Sequence, residues 1–214
     1  MRAARLYSKI LAHRWVFERV RPWVVGGIDM SPAYRELGVD SNAVVLDIGC
    51  GTGDALNHLD TLASYLGLDT DPAAIEVARS RYGDRPATRF EARELSDSDL
   101  TNYQPTHVAM VGLLHHLSDD GALALLKRLV RSESVECVVT LDIVYLEGRW
   151  FNNLLAYLDR GRHCRSASGY VSLVERAGFA VLAEHCVPSH PTHGRVEYFV
   201  LKLARPKDGV DGDA

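Results

Sequence analysis

Cysteine is sparse and scattered in this chain. Cys50, Cys137, Cys164 and Cys186 are spread over 214 residues with no CxxC spacing. A chain of this length can bury a core without cross-links, so no disulfide framework is expected. Free thiols point to a reducing, cytoplasmic setting. Long apolar runs are also missing. Residues 6–25 are broken by Lys9, His13, Arg14, Glu18, Arg19 and Arg21, which excludes the apolar segment of a signal peptide. No stretch offers the ~20 apolar residues of a membrane span, so stable membrane insertion is not expected. Positive charge is not in excess. Lys and Arg number 24 against 28 Asp and Glu, a formal net charge of −4, whereas a general nucleic-acid binder is usually basic. No internal repeat is visible, and length and composition suit one domain.

What is present is a regular alternation. Residues 3–25 have helical periodicity through Leu6, Ile10, Phe17, Val20 and Val24, and Gly26-Gly27 end the pattern. Residues 43–48 then form a short apolar run suited to a buried parallel strand. A helix is expected over 54–63, a strand over 65–69, and a helix opened by Asp71 as N-cap with Pro72 behind it. Further strands are expected at 88–93, 107–111 and 135–141, with a helix capped near Ser118 and running to about 131. A helix from about 168 to Gly178 precedes two last strands, 179–187 and 196–203. Their connecting loop is too short for a crossover helix, so that pair should be antiparallel. Strand–helix alternation implies a parallel sheet with right-handed crossovers. The expectation is an α/β, Rossmann-like, doubly wound sheet of seven strands, mostly parallel with an antiparallel last strand, under an N-terminal helical lid.

The densest signal is Val45-Leu-Asp-Ile-Gly-Cys-Gly-Thr-Gly53. A strand runs directly into Gly49, Gly51 and Gly53, where the backbone can turn sharply and approach a ligand. Open α/β sheets bind ligands beyond the carboxyl ends of their strands. Asp69 ends the second strand and can accept both hydroxyls of a ribose. Any nucleoside cofactor fits so far. A nicotinamide dinucleotide is disfavoured because Asp54 stands after Gly53, and Asp47 stands just before the glycines. Anions there suit a cationic ligand better than a pyrophosphate.

On these residues the chain resembles the class I S-adenosylmethionine-dependent methyltransferases of small-molecule type, over roughly residues 43–142. Val45–Gly53 matches the first motif, Gly67-Leu-Asp69 with Asp71-Pro72 the second, and Gly112-Leu-Leu-His-His-Leu117 the fourth-strand motif. Glu94 takes the adenine-binding aspartate position; Arg93 stands where the family has glycine. The usual glycine pair before the fifth strand is replaced by Arg131-Ser-Glu-Ser, read as a shorter loop. The resemblance implies S-adenosyl-L-methionine as cofactor. Asp47 and Gly49 would hold its methionine moiety, with Cys50, Gly51 and Gly53 in the same loop. Asp69 and Thr70 would meet the ribose, Glu94 and Leu95 the adenine. Gly112 would line the pocket, and Tyr7 would reach the carboxylate. The domain would be residues 1–204, with a lid over 1–42, a core over 43–204, a cap insertion near 148–168 and a flexible tail over 205–214.

Methyl transfer is a displacement at an activated carbon, so alignment and exclusion of water carry most of the catalysis. A base matters when the acceptor is protonated, and histidine suits neutral pH. His116 is the first candidate for base or substrate contact, with His115 beside it and His190 and His193 in the loop after the sixth strand. Each also has a plain structural reading: a packed ring, or a solvated turn between Pro188 and Pro191. His185, Cys186, His190 and His193 lack zinc spacing, and only Asp142 is placed like a catechol-type metal ligand, so no metal is expected. Trp150, Phe151, Tyr157, Arg160, Arg162, His163 and Arg165 suit an aromatic or anionic small-molecule acceptor, or simply packing and a solvated face. Residues 114–117 lack the motif of nucleic-acid adenine methylases. An RNA- or protein-modifying enzyme and an inactive cofactor-binding protein are the alternatives. A monomer or homodimer is expected.

Overall fold

The computed structural model describes residues 29–150, 153, 162–189 and 196–206. The expected N-terminal helix, Tyr7, His190, His193, Phe151, Tyr157 and Arg160 lie outside the described residues, as do most of the lid and the tail.

Helix α1 (Ser31–Leu37) ends at Gly38, whose φ of 66° closes the turn. The apolar run becomes β1 (Val44–Ile48), and β2 (Ser64–Asp69) follows it. In α2 (Pro72–Tyr82) the Asp71 side chain accepts the Ala73 N–H and Pro72 occupies the first turn, as the sequence predicts. Next come β3 (Thr88–Ala92) and β4 (His107–Val111). Helix α3 (Asp119–Arg131) is capped by the Ser118 hydroxyl accepting the Gly121 N–H. After β5 (Cys137–Tyr145) and the two-residue β6 (Arg165–Ser166), Ser166 caps α4 (Ala167–Ala177), which stops at Gly178 with φ 101°. Strands β7 (Ala180–Pro188) and β8 (Glu197–Ala204) complete the sheet.

The strand order is β3-β2-β1-β4-β5-β8-β7, with β6 beside β5. Strands β1 to β5 pair in parallel, while β8 runs antiparallel to both β5 and β7. Among the described residues eight strands are present where seven were expected. The extra one, Arg165–Ser166 against Val144 and Tyr145, is too short to leave a periodic signal. Alternate residues of the central strands enter opposite layers, so apolar side chains are needed on both faces. Val45, Tyr65, Val139 and Leu141 pack with Ala33 and Leu37 of α1 and Ile75 of α2. Leu46, Leu66, Val108 and Val138 pack with Leu126 and Leu129 of α3 and Leu173 of α4. Helices on both faces make the sheet doubly wound and leave its carboxyl edge to carry a site.

One predicted helix is not formed. Residues 54–63 carry only a 3-10 turn, Asp54–Asn57, because their carbonyls are engaged elsewhere. The Arg85 guanidinium donates to the carbonyl oxygens of Leu56, Leu59 and Asp60, which removes the acceptors a continuing helix would use. The loop at 131–134 is the expected tight turn, closed by Val135 N–H donating to Ser132 O at 3.2 Å.

Candidate active site

The carboxyl ends of β1, β2 and β4 bring the glycine loop, Asp69 and the paired histidines to one edge. Gly49, Gly51 and Gly53 have φ of 80°, 53° and 78°, so the whole turn depends on left-handed backbone. Gly49 and Cys50 N–H both donate to Leu68 O, at 2.7 and 3.1 Å, which binds the turn to β2. A Cβ on Gly53 would come within 3.1 Å of the Phe90 ring, so this glycine permits close packing. A Cβ on Gly51 would meet nothing within 4 Å. Gly51 therefore faces the open space of the crevice, and a side chain there would fill a cradle that the bare backbone leaves clear.

Two carboxylates belong to this region, Asp69 bonded to Gly51 and Asp47 two residues before Gly49. Asp69 is half-buried; its Oδ2 accepts the Gly51 N–H at 2.9 Å and its Oδ1 accepts the Asp71 N–H at 2.8 Å. Each oxygen keeps a further lone pair for a ligand hydroxyl. Asp47 is 2% exposed and takes a 2.5 Å hydrogen bond from the Tyr65 hydroxyl. Burial pushes its carboxyl up to about 7 against the pull of that hydrogen bond, and the nearby Asp69 charge adds to the rise. Tyr34, Tyr65 and Cys50 share the pocket, and burial raises all three well above their ordinary values. Gly67 on β2 makes this packing fit, since a Cβ there would lie 2.8 Å from both Cys50 Sγ and Phe90 Cδ1. A cation brought beside this buried carboxyl would favour its ionised form.

Asp54, the other anion noted in the sequence, is compensated differently. It pairs with Arg81 at 2.6 Å and accepts the Thr52 hydroxyl. Thr70 and Glu94 are exposed, and Leu95 is buried with its carbonyl bound by Arg128. Arg93 has a positive role in place of the missing glycine. Its guanidinium grips both oxygens of Asp99 at 2.6 and 2.7 Å and also reaches Glu91 at 2.7 Å. That guanidinium holds the Asp99 carboxyl down to about 2. Asp99 in turn accepts the backbone N–H of Ser96, so an ion pair fixes the 93–99 loop.

Gly112 leaves β4 with φ 73° and starts the turn carrying the two histidines. They differ sharply. His116 is exposed; His115 is buried at 3%. Their rings are tilted by 41° with centroids 4.1 Å apart. Asp142, inside β5 just past its pairing with β4, lies with Oδ1 2.7 Å from the His115 ring Nδ1 and accepts the His115 backbone N–H at 3.1 Å. Sequence reasoning noted Asp142 only as placed like a metal ligand and missed this pairing; its place just after the apolar run 135–141 was the only signal. Arg165 belongs to the frame of the site. Its side chain is 9% exposed and donates to Asp119 and to the carbonyls of Leu114, Leu117 and His163. Trp150 and Arg162 are exposed. His185 and Cys186 lie along β7. Among the described residues no group of three or more His, Cys, Asp or Glu could hold a metal ion, and no helix is long and apolar enough to cross a membrane.

Residues 46–134 match the model of the family described as methyltransferase domain. A protein of Invertebrate iridescent virus 6, named as a methyltransferase, is 31% identical over 68 residues, 30% of this chain and 24% of that protein. The matched stretch thus spans about a quarter of that relative. A chain from the complex of a Haloferax volcanii methyltransferase activator with a methyltransferase is similar in structure. Its TM-score is 0.64 at 17% identity, covering 94% of this chain and 98% of that one. A geranyl diphosphate methyltransferase in complex with S-adenosylmethionine is similar with a TM-score of 0.62 at 13% identity, covering 81% of this chain and 83% of that one. These structural likenesses establish the fold. Residues 46–134 thus match a methyltransferase-domain model, within a chain whose fold is similar to the Rossmann-like fold of methyltransferases.

Proposed function

We propose that this chain transfers a methyl group from S-adenosyl-L-methionine to an oxygen or nitrogen of a small-molecule acceptor. The observation that carries the reading is the clear space at Gly51, whose N–H is held by Asp69, with buried Asp47 two residues before the loop. When bound, the cofactor supplies a methyl carbon already activated by a sulfonium. The protein's task is then to bind, orient and keep water away. In this reading Asp47 and Gly49 hold the methionine end and Gly51 and Gly53 let the backbone close on it, with Cys50 packing beneath. Asp69 and Thr70 take the ribose, Glu94 and Leu95 the adenine, and Gly112 borders the methyl group. Tyr7 on the N-terminal segment reaches the cofactor carboxylate. His116 serves as base or acceptor contact, with His115 and His190 as the secondary candidates. The lid and the cap insertion cover the acceptor.

A net charge of −4 favours a small acceptor, aromatic or anionic, over a nucleic acid. The Haloferax neighbour, found with an activator protein, is the observation on the side of a larger assembly. A monomer or homodimer in the cytoplasm remains the simplest form of the proposal. Replacing Asp69 with Ala removes a charge-assisted acceptor from the crevice. Affinity for S-adenosylhomocysteine, measured by calorimetry, should fall roughly ten- to a hundredfold. Unchanged affinity removes Asp69 from the ribose role.

A further inference from the structure

Two arginines converge on the loop that follows β3. Asp69 and Ala92 are register partners on β2 and β3, so residues 93–95 leave the carboxyl edge next to Asp69. The Leu95 side chain is buried in the apolar layer that also holds Ile48, the last residue of β1, and Leu68, which precedes Asp69. Arg93 donates to Glu94 O at 3.0 Å while its fork grips Asp99 at 2.6 and 2.7 Å and its Nε donates to Glu91 at 2.7 Å. Arg128 reaches the same loop from α3. Both its terminal nitrogens lie 3.3 Å from Leu95 O, and its Nε donates to Asp97 at 2.8 Å. Each carbonyl of the 94–95 pair is thus turned to a guanidinium. The two N–H groups are left open: neither Glu94 nor Leu95 donates to an acceptor among the described residues. A backbone N–H without a partner is uncommon in a buried residue such as Leu95. What the segment offers a ligand is therefore its donors, with the Glu94 side chain exposed beside them.

This pattern suits one purine edge and opposes another. Adenine presents an acceptor at N1 beside a donor amino group at C6. Hypoxanthine presents the reverse, a donor N1–H beside an acceptor O6. An open N–H next to a carboxylate meets the adenine edge, and would set donor against donor and acceptor against acceptor on hypoxanthine. We propose that Arg93 and Arg128 are positioning residues for base selection: by holding the carbonyls of Glu94 and Leu95 they turn the N–H groups of this segment toward the base of the cofactor. This rests on the methyltransferase reading above, in which Glu94 and Leu95 meet the adenine. Arg93 stands where the methyltransferases this chain resembles have glycine, and a glycine has no side chain to make this clamp. A planar fork can hold a carboxylate and a carbonyl together, which a single ammonium cannot. The Arg93 guanidinium also keeps the Asp99 carboxyl down to about 2, so the clamp stays charged at neutral pH.

The test compares S-adenosylhomocysteine with S-inosylhomocysteine by calorimetric titration of the whole chain, native and as Arg93→Ala, Arg93→Lys and Arg128→Ala. The native protein should prefer the adenosyl ligand by about a hundredfold or more, the scale of two unmatched hydrogen bonds. In Arg93→Ala and Arg128→Ala the preference should shrink to within about tenfold, and Arg93→Lys should not restore it. Arginines that merely stiffen the fold would, when replaced, lower the melting temperature and weaken both ligands alike. An unchanged ratio of affinities in a folded alanine variant therefore overturns the role of that arginine. A native protein that binds the two ligands equally overturns the whole proposal while leaving the cofactor reading in place. Failure of the native protein to bind either ligand removes the cofactor reading itself, and base selection with it. A second readout needs no variant. In NMR spectra of the 15N-labelled native chain, the amide proton of Glu94 or Leu95 should move downfield with S-adenosylhomocysteine. If the variants do not fold, this measurement decides, and both amides unmoved at saturating ligand overturn the proposal.

Discussion

Asp47→Asn is expected to stabilise the ligand-free protein above pH 7 while costing cofactor affinity at the same pH. The Asp47 carboxyl is pushed up to about 7 chiefly by burial. Its neutral form is therefore the one the fold prefers. The stability it contributes is complete below the ordinary carboxylate pKa of about 4 and is lost as pH rises through about 7. Asparagine stays uncharged throughout, and its side-chain oxygen can still accept the Tyr65 hydroxyl. The variant should thus melt with the native protein near pH 4 and above it at pH 8. Binding has the opposite sign. A cationic ligand needs the ionised carboxylate, so native affinity for S-adenosylhomocysteine should fall by up to about tenfold per pH unit below 7. At pH 8 the variant should bind about ten- to a hundredfold more weakly and lose that pH dependence. Tyr34, Tyr65 and Cys50 stay neutral across this range, because burial raises each of them. Thermal melts and calorimetric titrations at pH 5 and 8 check both signs; a variant less stable than the native protein at pH 8 contradicts the account of Asp47.

Arg165→Ala carries the largest expected loss of stability. The guanidinium joins the segment before α4 to the turn bearing His115 and His116. It donates to Leu114 O and Leu117 O at 2.8 Å each, to His163 O at 3.0 Å and to Asp119 at 2.7 Å. Asp119 is 67% exposed, so the ion pair itself contributes little in water. The cost comes from the Leu117 and His163 carbonyls that lose this donor, each worth ~1–3 kcal/mol when buried, while Leu114 O keeps the Leu117 N–H. A total of about 3–5 kcal/mol is expected. Arg165→Lys should recover only part of this, because one ammonium cannot span sites that a planar fork reaches together. Urea unfolding measures the effect as a lower midpoint at an unchanged slope. A change under about 1 kcal/mol would show that the turn does not depend on this side chain.

The strands were legible because their signal is local. A buried parallel strand must be apolar on both faces, and runs such as 43–48 and 107–111 have few other uses. Caps were legible for the same reason: Asp71, Ser118 and Gly178 act on their immediate neighbours. Misreadings arose where a distant side chain decided the outcome. The helix expected at 54–63 is prevented by Arg85, which takes its carbonyls from more than twenty residues away. The residue at 93 looked like a defect in a motif, yet it makes an ion pair with Asp99 that no motif encodes. The glycine loop and Asp69 could be read from spacing alone. The join of His115 to Asp142 could not, since 27 residues and a whole helix separate them. The adjacent histidines look equivalent in sequence, and only the fold buries one and exposes the other.

The central claim is that the crevice between Asp47 and Asp69 accepts an adenosyl ligand with a cationic amino-acid tail. Calorimetric titration of the whole chain at pH 8 with S-adenosylhomocysteine, and separately with NAD, tests it most directly. Saturable binding of S-adenosylhomocysteine, absent for NAD and weakened in Asp69→Ala, is the predicted result. Binding of NAD in preference, or heat from neither ligand, would contradict it.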